Sequence, residues 1–233
     1  VNKNNEALYH LTKKSLEAGA FPLVLGGDHS IAMGSVSAAA TVQAREDFGL
    51  IWFDAHGDLN SFETSPSGNI HGMPLAACLG FDADKLLPWT GASDPIVLPQ
   101  NVALIGIRSL DQEEIVRSRT CGALCYTALD IEERGLKEIM GEVSQKLLSR
   151  VKAVHVSFDL DAIDPTAAPG VSTPEAGGLT ARECLFALDL LGKTNKVRSA
   201  DFVELNPRHD QQKMTAELAI RLISSLLGES CLS

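Results

Sequence analysis

The chain has 233 residues, 45% of them hydrophobic and 21% charged, a composition that suits one globular domain with ample length for a core. Its formal net charge of −10 excludes a non-specific nucleic-acid binder, which needs a basic surface. No apolar stretch approaches the ~20 residues of a membrane span and no signal-peptide pattern opens the chain, so a cytoplasmic protein without membrane contact is expected.

Residues 2–18 carry Ala7, Leu8, Leu11 and Leu16 at helical spacing and stop at Gly19, a residue suited to the position after a helix. No strand precedes that helix, so an N-terminal element is expected to be missing. Residues 21–25 read as a short buried strand, and Ser30 as the cap of a small-residue helix running to about residue 43. A second strand at 48–53, a polar loop at 59–70 and a short helix at 73–79 follow. The span 88–100 holds three of the ten prolines and reads as a surface connection. Next come a strand at 102–107, a short helix at 112–118, a strand at 123–126 and a long helix at 131–148. The remainder reads as a strand at 154–158, a loop through Gly178, a helix at 182–191, a strand at 199–205 and a helix at 215–227. Apolar strands alternating with helices predict a single three-layer α-β-α domain over 1–233, built on a mostly parallel sheet. The cysteines Cys78, Cys121, Cys125, Cys184 and Cys231 are odd in number and scattered, which predicts reduced thiols and no disulfide framework.

In such a sheet, ligands bind outside the carboxyl ends of the strands. Three strand ends here carry reactive residues. Ile51-Trp52-Phe53 runs into Asp54-Ala55-His56-Gly57-Asp58, the strand at 154–158 into Asp159-Leu160-Asp161, and the strand at 21–25 into Gly26-Gly27-Asp28-His29-Ser30. Alternate strand residues face the same side, so acids and imidazoles converge there. A buried carboxylate cluster is costly without cations, and more than one metal ion is therefore implied. Carboxylates with two imidazoles favour manganese over magnesium, zinc or copper. A carboxylate shared by two ions holds them ~3.5–4 Å apart, and water between them becomes hydroxide near neutral pH. The chemistry expected is metal-assisted hydrolysis. The alternative, that the acids only cap helices and form turns, suits Asp28 and Asp164 but not Asp54, His56, Asp58, Asp159 and Asp161.

The three strand-end segments, the last continuing from Ser157 through Pro165, resemble the signatures of the ureohydrolases, the superfamily of arginase, agmatinase and formiminoglutamase. Gly177-Gly178-Leu179-Thr180 and Glu204-Leu205-Asn206-Pro207 extend the likeness over nearly the whole chain. The resemblance implies the family's open parallel sheet, here truncated by its first strands, and a homo-oligomer (trimer or hexamer). It also implies two Mn2+ per chain. One ion would be held by His29, Asp54, Asp58 and Asp159, the other by His56, Asp54, Asp159 and Asp161, with Asp54 and Asp159 bridging.

Within the loop at 59–70, Asn60, Ser65, Ser67 and Asn69 resemble the arginase segment that binds the α-carboxylate of arginine. Neutral hydroxyls and amides donate well to a carboxylate, which agmatine lacks. The other reading is a surface turn of Pro, Ser and Gly. By resemblance His71 is a proton shuttle; alone it reads equally as a structural hydrogen-bonder. Asp111 matches the acid that meets the substrate α-amino group, or else caps the following helix. Glu204 matches the acid that pairs with the guanidinium, and Thr173 a residue near that group. His155 and His209 have no counterpart and read as structural or surface residues. The expected reaction is cleavage of L-arginine to L-ornithine and urea by metal-bridging hydroxide, with Asp58 passing a proton to the leaving amine. The alternatives are an agmatinase or other guanidino-acid ureohydrolase, and a catalytically silent binding or regulatory homologue.

Overall fold

Six short, mostly apolar runs become strands: Leu23–Leu25 (β1), Phe48–Phe53 (β2), Val102–Ile107 (β3), Leu124–Thr127 (β4), Ala153–Asp159 (β5) and Val197–Val203 (β6). The computed structural model describes residues 1–92 and 94–229, and Cys231 lies outside them. The strands form one sheet in the order β1-β6-β5-β2-β3-β4, with every neighbouring pair parallel. The helices are Asn2–Glu17 (α1), Ala32–Thr41 (α2), Pro74–Cys78 (α3), Ala83–Leu86 (α4), Gln112–Thr120 (α5), Ala128–Arg134 (α6), Leu136–Val143 (α7), Ala181–Lys193 (α8) and Met214–Leu226 (α9). Among the described residues none is long and apolar enough to cross a membrane. Cys78, Cys121, Cys125 and Cys184 are free thiols.

Every residue of β2, β3 and β5 is buried, as a parallel sheet covered on both faces requires. Alternation divides the strand side chains between two cores. Leu50 and Trp52 face Val36 of α2 and Leu75 of α3. Ile51 and Phe53 face Ile139 and Val143 of α7, with Leu188 of α8 and Leu222 of α9 in the same cluster. The chain runs outward from β2 through β3 to β4, then returns to lay β5 on the other flank of β2. That reversal opens a crevice between β2 and β5, the place where doubly wound sheets bind ligands. Phe53 lies opposite Phe158, and Asp159 opposite Val203. The ends of β2, β5 and β6 are therefore side by side.

Several expected boundaries move. The helix expected at 131–148 is three pieces. It starts at Ala128, where Thr127 Oγ1 accepts from Asp130 N–H and Asp130 accepts in return from Thr127 N–H. It breaks at Gly135, whose φ of 79° lies outside helical space, and it ends in a π turn over Ser144–Leu148. Asp28, not Ser30, caps the turn before α2: its Oδ1 accepts from Ser30 N–H at 2.9 Å. The strand expected to be buried at 21–25 is only Leu23–Leu25, and Leu25 is 67% exposed, because β1 has a partner on one side only among the described strands. The last strand ends at Val203, which leaves Glu204 just beyond it. The short helix α4 was not expected.

Candidate metal centre

Each strand end turns by the same local device. Asp54 Oδ1 accepts from His56 N–H at 2.7 Å, and Asp159 Oδ1 accepts from Asp161 N–H at 2.7 Å. Asx turns of this kind bend the backbone within two residues and keep the next ligand on the same side. The two loops are then tied together, since Ala55 N–H donates to Asp161 Oδ1 at 3.1 Å. Asp58 and Glu204 follow with φ of 51° and 63°. Left-handed backbone in non-glycine residues costs of order 1–3 kcal/mol and concentrates at functional sites.

Two groups of donors share Asp54, His29 with Asp54 and Asp159, and His56 with Asp54 and Asp161; a third group, Asp28 with His71 and Glu204, does not include it. His29 Nδ1 lies 3.1 Å from Asp54 Oδ2, 3.2 Å from Asp58 Oδ2 and 3.0 Å from Asp159 Oδ2. His56 Nδ1 lies 3.0 Å from Asp161 Oδ2 and 3.5 Å from Asp54 Oδ1. Asp54 thus offers one oxygen to each group. Donors ~3 Å apart are what adjacent ligands of an octahedral cation show when its bonds are ~2.1 Å. His29 Nδ1 and Asp58 Oδ2 are also buried without a hydrogen-bond partner, which native interiors rarely allow unless an ion or water completes them.

Electrostatics agree. Burial, with Asp54 beside it, pushes the Asp58 carboxyl well above its usual range. Burial, with Asp161 and Asp54, does the same to Asp159. Burial opposes charge on the two imidazoles, yet the surrounding carboxylates outweigh it, raising His29 to about 9 and His56 to about 12. Protons stand here where cations would neutralise the acids. Hard oxygen donors with two imidazoles are a set that manganese accepts, so the residues fit that ion.

A cleft of about 560 Å³, its open mouth included, leads to these donors. Asn60, Ser65, Ser67, His71, Asp111, Thr173 and Glu204 line it; Asn69 does not, and instead precedes the short turn Ile70–Gly72. Asn60 Nδ2–H donates to Asp111 Oδ2 at 2.9 Å. Asp111 occupies the cap position of α5, in a capping box with Glu114, and its Oδ2 turns to Asn60. Ser65 and Ser67 accept backbone N–H groups from Gly68 and Asn69, which leaves their hydroxyl protons to donate elsewhere. Thr173 donates to Asp161 Oδ2 at 3.2 Å. Glu204 Oε1 accepts from His29 N–H at 2.7 Å, and burial holds its carboxyl above the usual range.

Both acids read as caps or turn formers make such bonds. Asp28 caps Ser30, and Asp164 accepts from Thr166, Gly177 and Gly178. His209 is exposed, and its Nδ1–H donates to Val171 O at 2.9 Å. His155 is fully buried rather than on the surface. Sequence reasoning missed Glu114, which lines the cleft and accepts from Leu59 and Asp111 N–H groups at 3.0 Å. The spacing Asp111-x-x-Glu114, a capping-box pattern, was the available signal. It also missed Arg108, whose guanidinium donates to the carbonyls of Asp161, Ala162, Glu175 and Ala176 and so clamps the loop that follows β5.

Residues 1–228 match the model of the Arginase family. An arginase of Bacillus caldovelox is 47% identical over 229 residues, which cover 98% of this chain and 76% of that protein. An arginase of Bacillus subtilis (strain 168) is 45% identical over 232 residues, covering 100% and 77%. The solved structure of the Bacillus caldovelox arginase superposes with a TM-score of 0.93 at 46% identity, over 98% of this chain and 76% of the other.

Proposed function

The chain belongs to the Arginase family and is a hydrolase of guanidino C–N bonds, and from that premise we propose that it converts L-arginine to L-ornithine and urea with two Mn2+ per chain. The observation that carries the metal reading is Asp54, whose two oxygens serve two separate donor groups at neighbouring strand ends. His29, Asp54, Asp58 and Asp159 would hold one ion, and His56, Asp54, Asp159 and Asp161 the other. When bound, the ions supply Lewis acidity and a water acidified to near neutrality.

The remaining work belongs to the chain. Glu204, at the floor of the cleft, receives the planar guanidinium through paired N–H groups. Thr173, donating to Asp161, keeps that ligand turned inward. At the mouth, the Asn60–Asp111 pair and the free hydroxyl protons of Ser65 and Ser67 take the charged amino-acid end. Asp111 meets the α-ammonium, and Asn60 and the two serines meet the α-carboxylate. Hydrolysis forms a C–O bond and breaks the C–N bond to the side-chain nitrogen, which needs a proton to leave. Asp58, which lines the cleft beside these donors, passes on a proton from the attacking water, and His71 at the rim exchanges protons with solvent.

The test is urea release by the manganese-loaded chain with arginine beside agmatine. Arginine should be turned over far better, because agmatine offers no carboxylate to the mouth. Equal or faster turnover of agmatine would overturn the substrate assignment, and no urea from either would leave a binding homologue. The family also supports a homo-oligomer, trimer or hexamer, to be read by light scattering.

A further inference from the structure

His29 is enclosed on every side. Its ring stacks on Trp52 with centroids 4.2 Å apart and an interplanar angle of 12°, and it is 2% exposed. Nδ1 points at the three carboxylates already described. Nε2, on the far edge, lies 2.9 Å from Ser157 Oγ. Ser157 has a single hydroxyl proton, and it donates that proton to Asp201 Oδ1 at 2.6 Å. The serine oxygen is therefore left only as an acceptor, so Nε2 must carry a hydrogen and Nδ1 must present its lone pair once a cation is bound.

Asp201 is itself committed to that arrangement. It is fully buried, lies outside the cleft lining, and has its second oxygen saturated by Ser35 Oγ–H at 2.5 Å and His155 Nε2 at 2.8 Å. His155 Nδ1 is fixed in turn by Ser199 Oγ at 2.7 Å. The sheet register builds the chain of contacts, since His155 pairs with Ser199 and Ser157 with Asp201 across β5 and β6. Burial alone pushes the Asp201 carboxyl up, but His155, His29 and Ser157 together bring it below its usual range, so it stays an acceptor. An ionised acid inside a sheet is costly unless every lone pair is used, and a layer of apolar residues would fill the same space at less cost. Metal-binding histidines generally need a partner for the second nitrogen to fix tautomer and orientation.

We propose that Asp201 is a positioning residue which, through Ser157, locks His29 in the tautomer that offers Nδ1 to manganese, with His155 and Ser35 holding the carboxylate in place. The inference rests on the manganese reading above. Trp52 already fixes the plane of the ring, so the relay's own contribution is the proton on Nε2.

The experiment is equilibrium Mn2+ binding to the full chain in chelator-buffered solution, read by elemental analysis, together with the thermal midpoint of the metal-free chain. Ser157→Ala and Asp201→Asn should each weaken Mn2+ binding ~10–100-fold, the usual effect of losing such a partner. Ser157→Thr, which keeps the hydroxyl, should bind within a few-fold of the native chain. Ser199→Ala removes a bond of the same kind beyond Asp201, and should lower the midpoint without changing the affinity. If Ser157→Ala does not fold, Ser157→Cys, similar in size but a poor acceptor, carries the same expectation. Native affinity in both Ser157 variants, or an equal loss in Ser199→Ala, would overturn the relay and leave these residues as packing. A native chain that binds no Mn2+ would overturn the manganese reading itself, and the relay with it.

Discussion

Asp28 serves two neighbours with its two carboxylate oxygens. Oδ1 caps Ser30, and Oδ2 faces His71 Nδ1 at 3.7 Å across the rim of the cleft. His71 holds the Asp28 carboxyl below the ordinary 3.8, and Asp28 raises His71 above the ordinary 6.5. The depressed acid adds stability that is present above pH 3.8 and lost as pH falls through the folded value. The raised base adds stability that is complete below pH 6.5 and lost as pH rises through its folded value. The pair is thus fully formed between those limits. Asp28→Asn keeps an oxygen for Ser30 but not for His71, so the NMR titration midpoint of His71 in the metal-free chain should fall towards 6.5. An unchanged midpoint would hand the effect to Glu204, the other acid that raises it. For the proton-exchange role, His71→Asn should cut turnover ~10²–10⁴-fold at native manganese content, and free imidazole should restore part of the rate. Lost manganese would make His71 a ligand or support instead.

At the scale of elements, the loop after β2 is wedged against α5. A methyl group on Gly57 would sit 2.8 Å from both Glu114 Oε1 and Leu110 Cδ2. Glu114 cannot swing aside without giving up two backbone N–H groups in a buried place. Gly57→Ala should therefore cost about 1–3 kcal/mol, the usual range for overpacking, and weaken manganese binding by displacing His56 and Asp58. Urea denaturation and a metal titration would show both; a native-like response to each would mean that α5 yields freely. What the amino-acid order conveyed about these elements depended on locality. β2 and β3 lie at the residues expected, because each is an apolar run bounded by polar ones. The ligand motifs were visible for the same reason, being i, i+2 patterns at strand ends. The break at Gly135 was missed because apolar spacing continues through it. β1 was misjudged because burial depends on which strands flank it. Asp201, one of three polar residues in β6, acquires meaning only when the register sets Ser157 beside it. The sharing of Asp54 between two donor groups likewise needed coordinates.

For the whole molecule, the donors come from segments as far apart as residues 29 and 161, carried by β1, β2 and β5, so bound metal ties together most of the sheet. Any ligand bound only by the folded chain stabilises it by mass action, about 2.7 kcal/mol at a hundredfold excess over Kd. The size of that gain should depend on pH. In the metal-free chain Asp58 and Asp159 lie well above their usual range and His29 and His56 at about 9 and about 12. Folded values raised above the unfolded ones mean that these groups help the metal-free fold while protonated, and that the help fades as pH rises through the folded values. Cations must displace the same protons, so binding strengthens as pH rises. The two trends add. The difference in thermal midpoint between manganese-saturated and metal-free chain should widen from pH ~6 to pH ~9, a span that runs from below the ordinary imidazole value to the folded value of His29. In Asp159→Ala that difference should nearly vanish at every pH, since a shared ligand of both ions is gone, and activity should vanish with it. A difference that stays constant with pH, or grows towards acid, would mean that manganese does not replace protons at these four side chains and binds elsewhere.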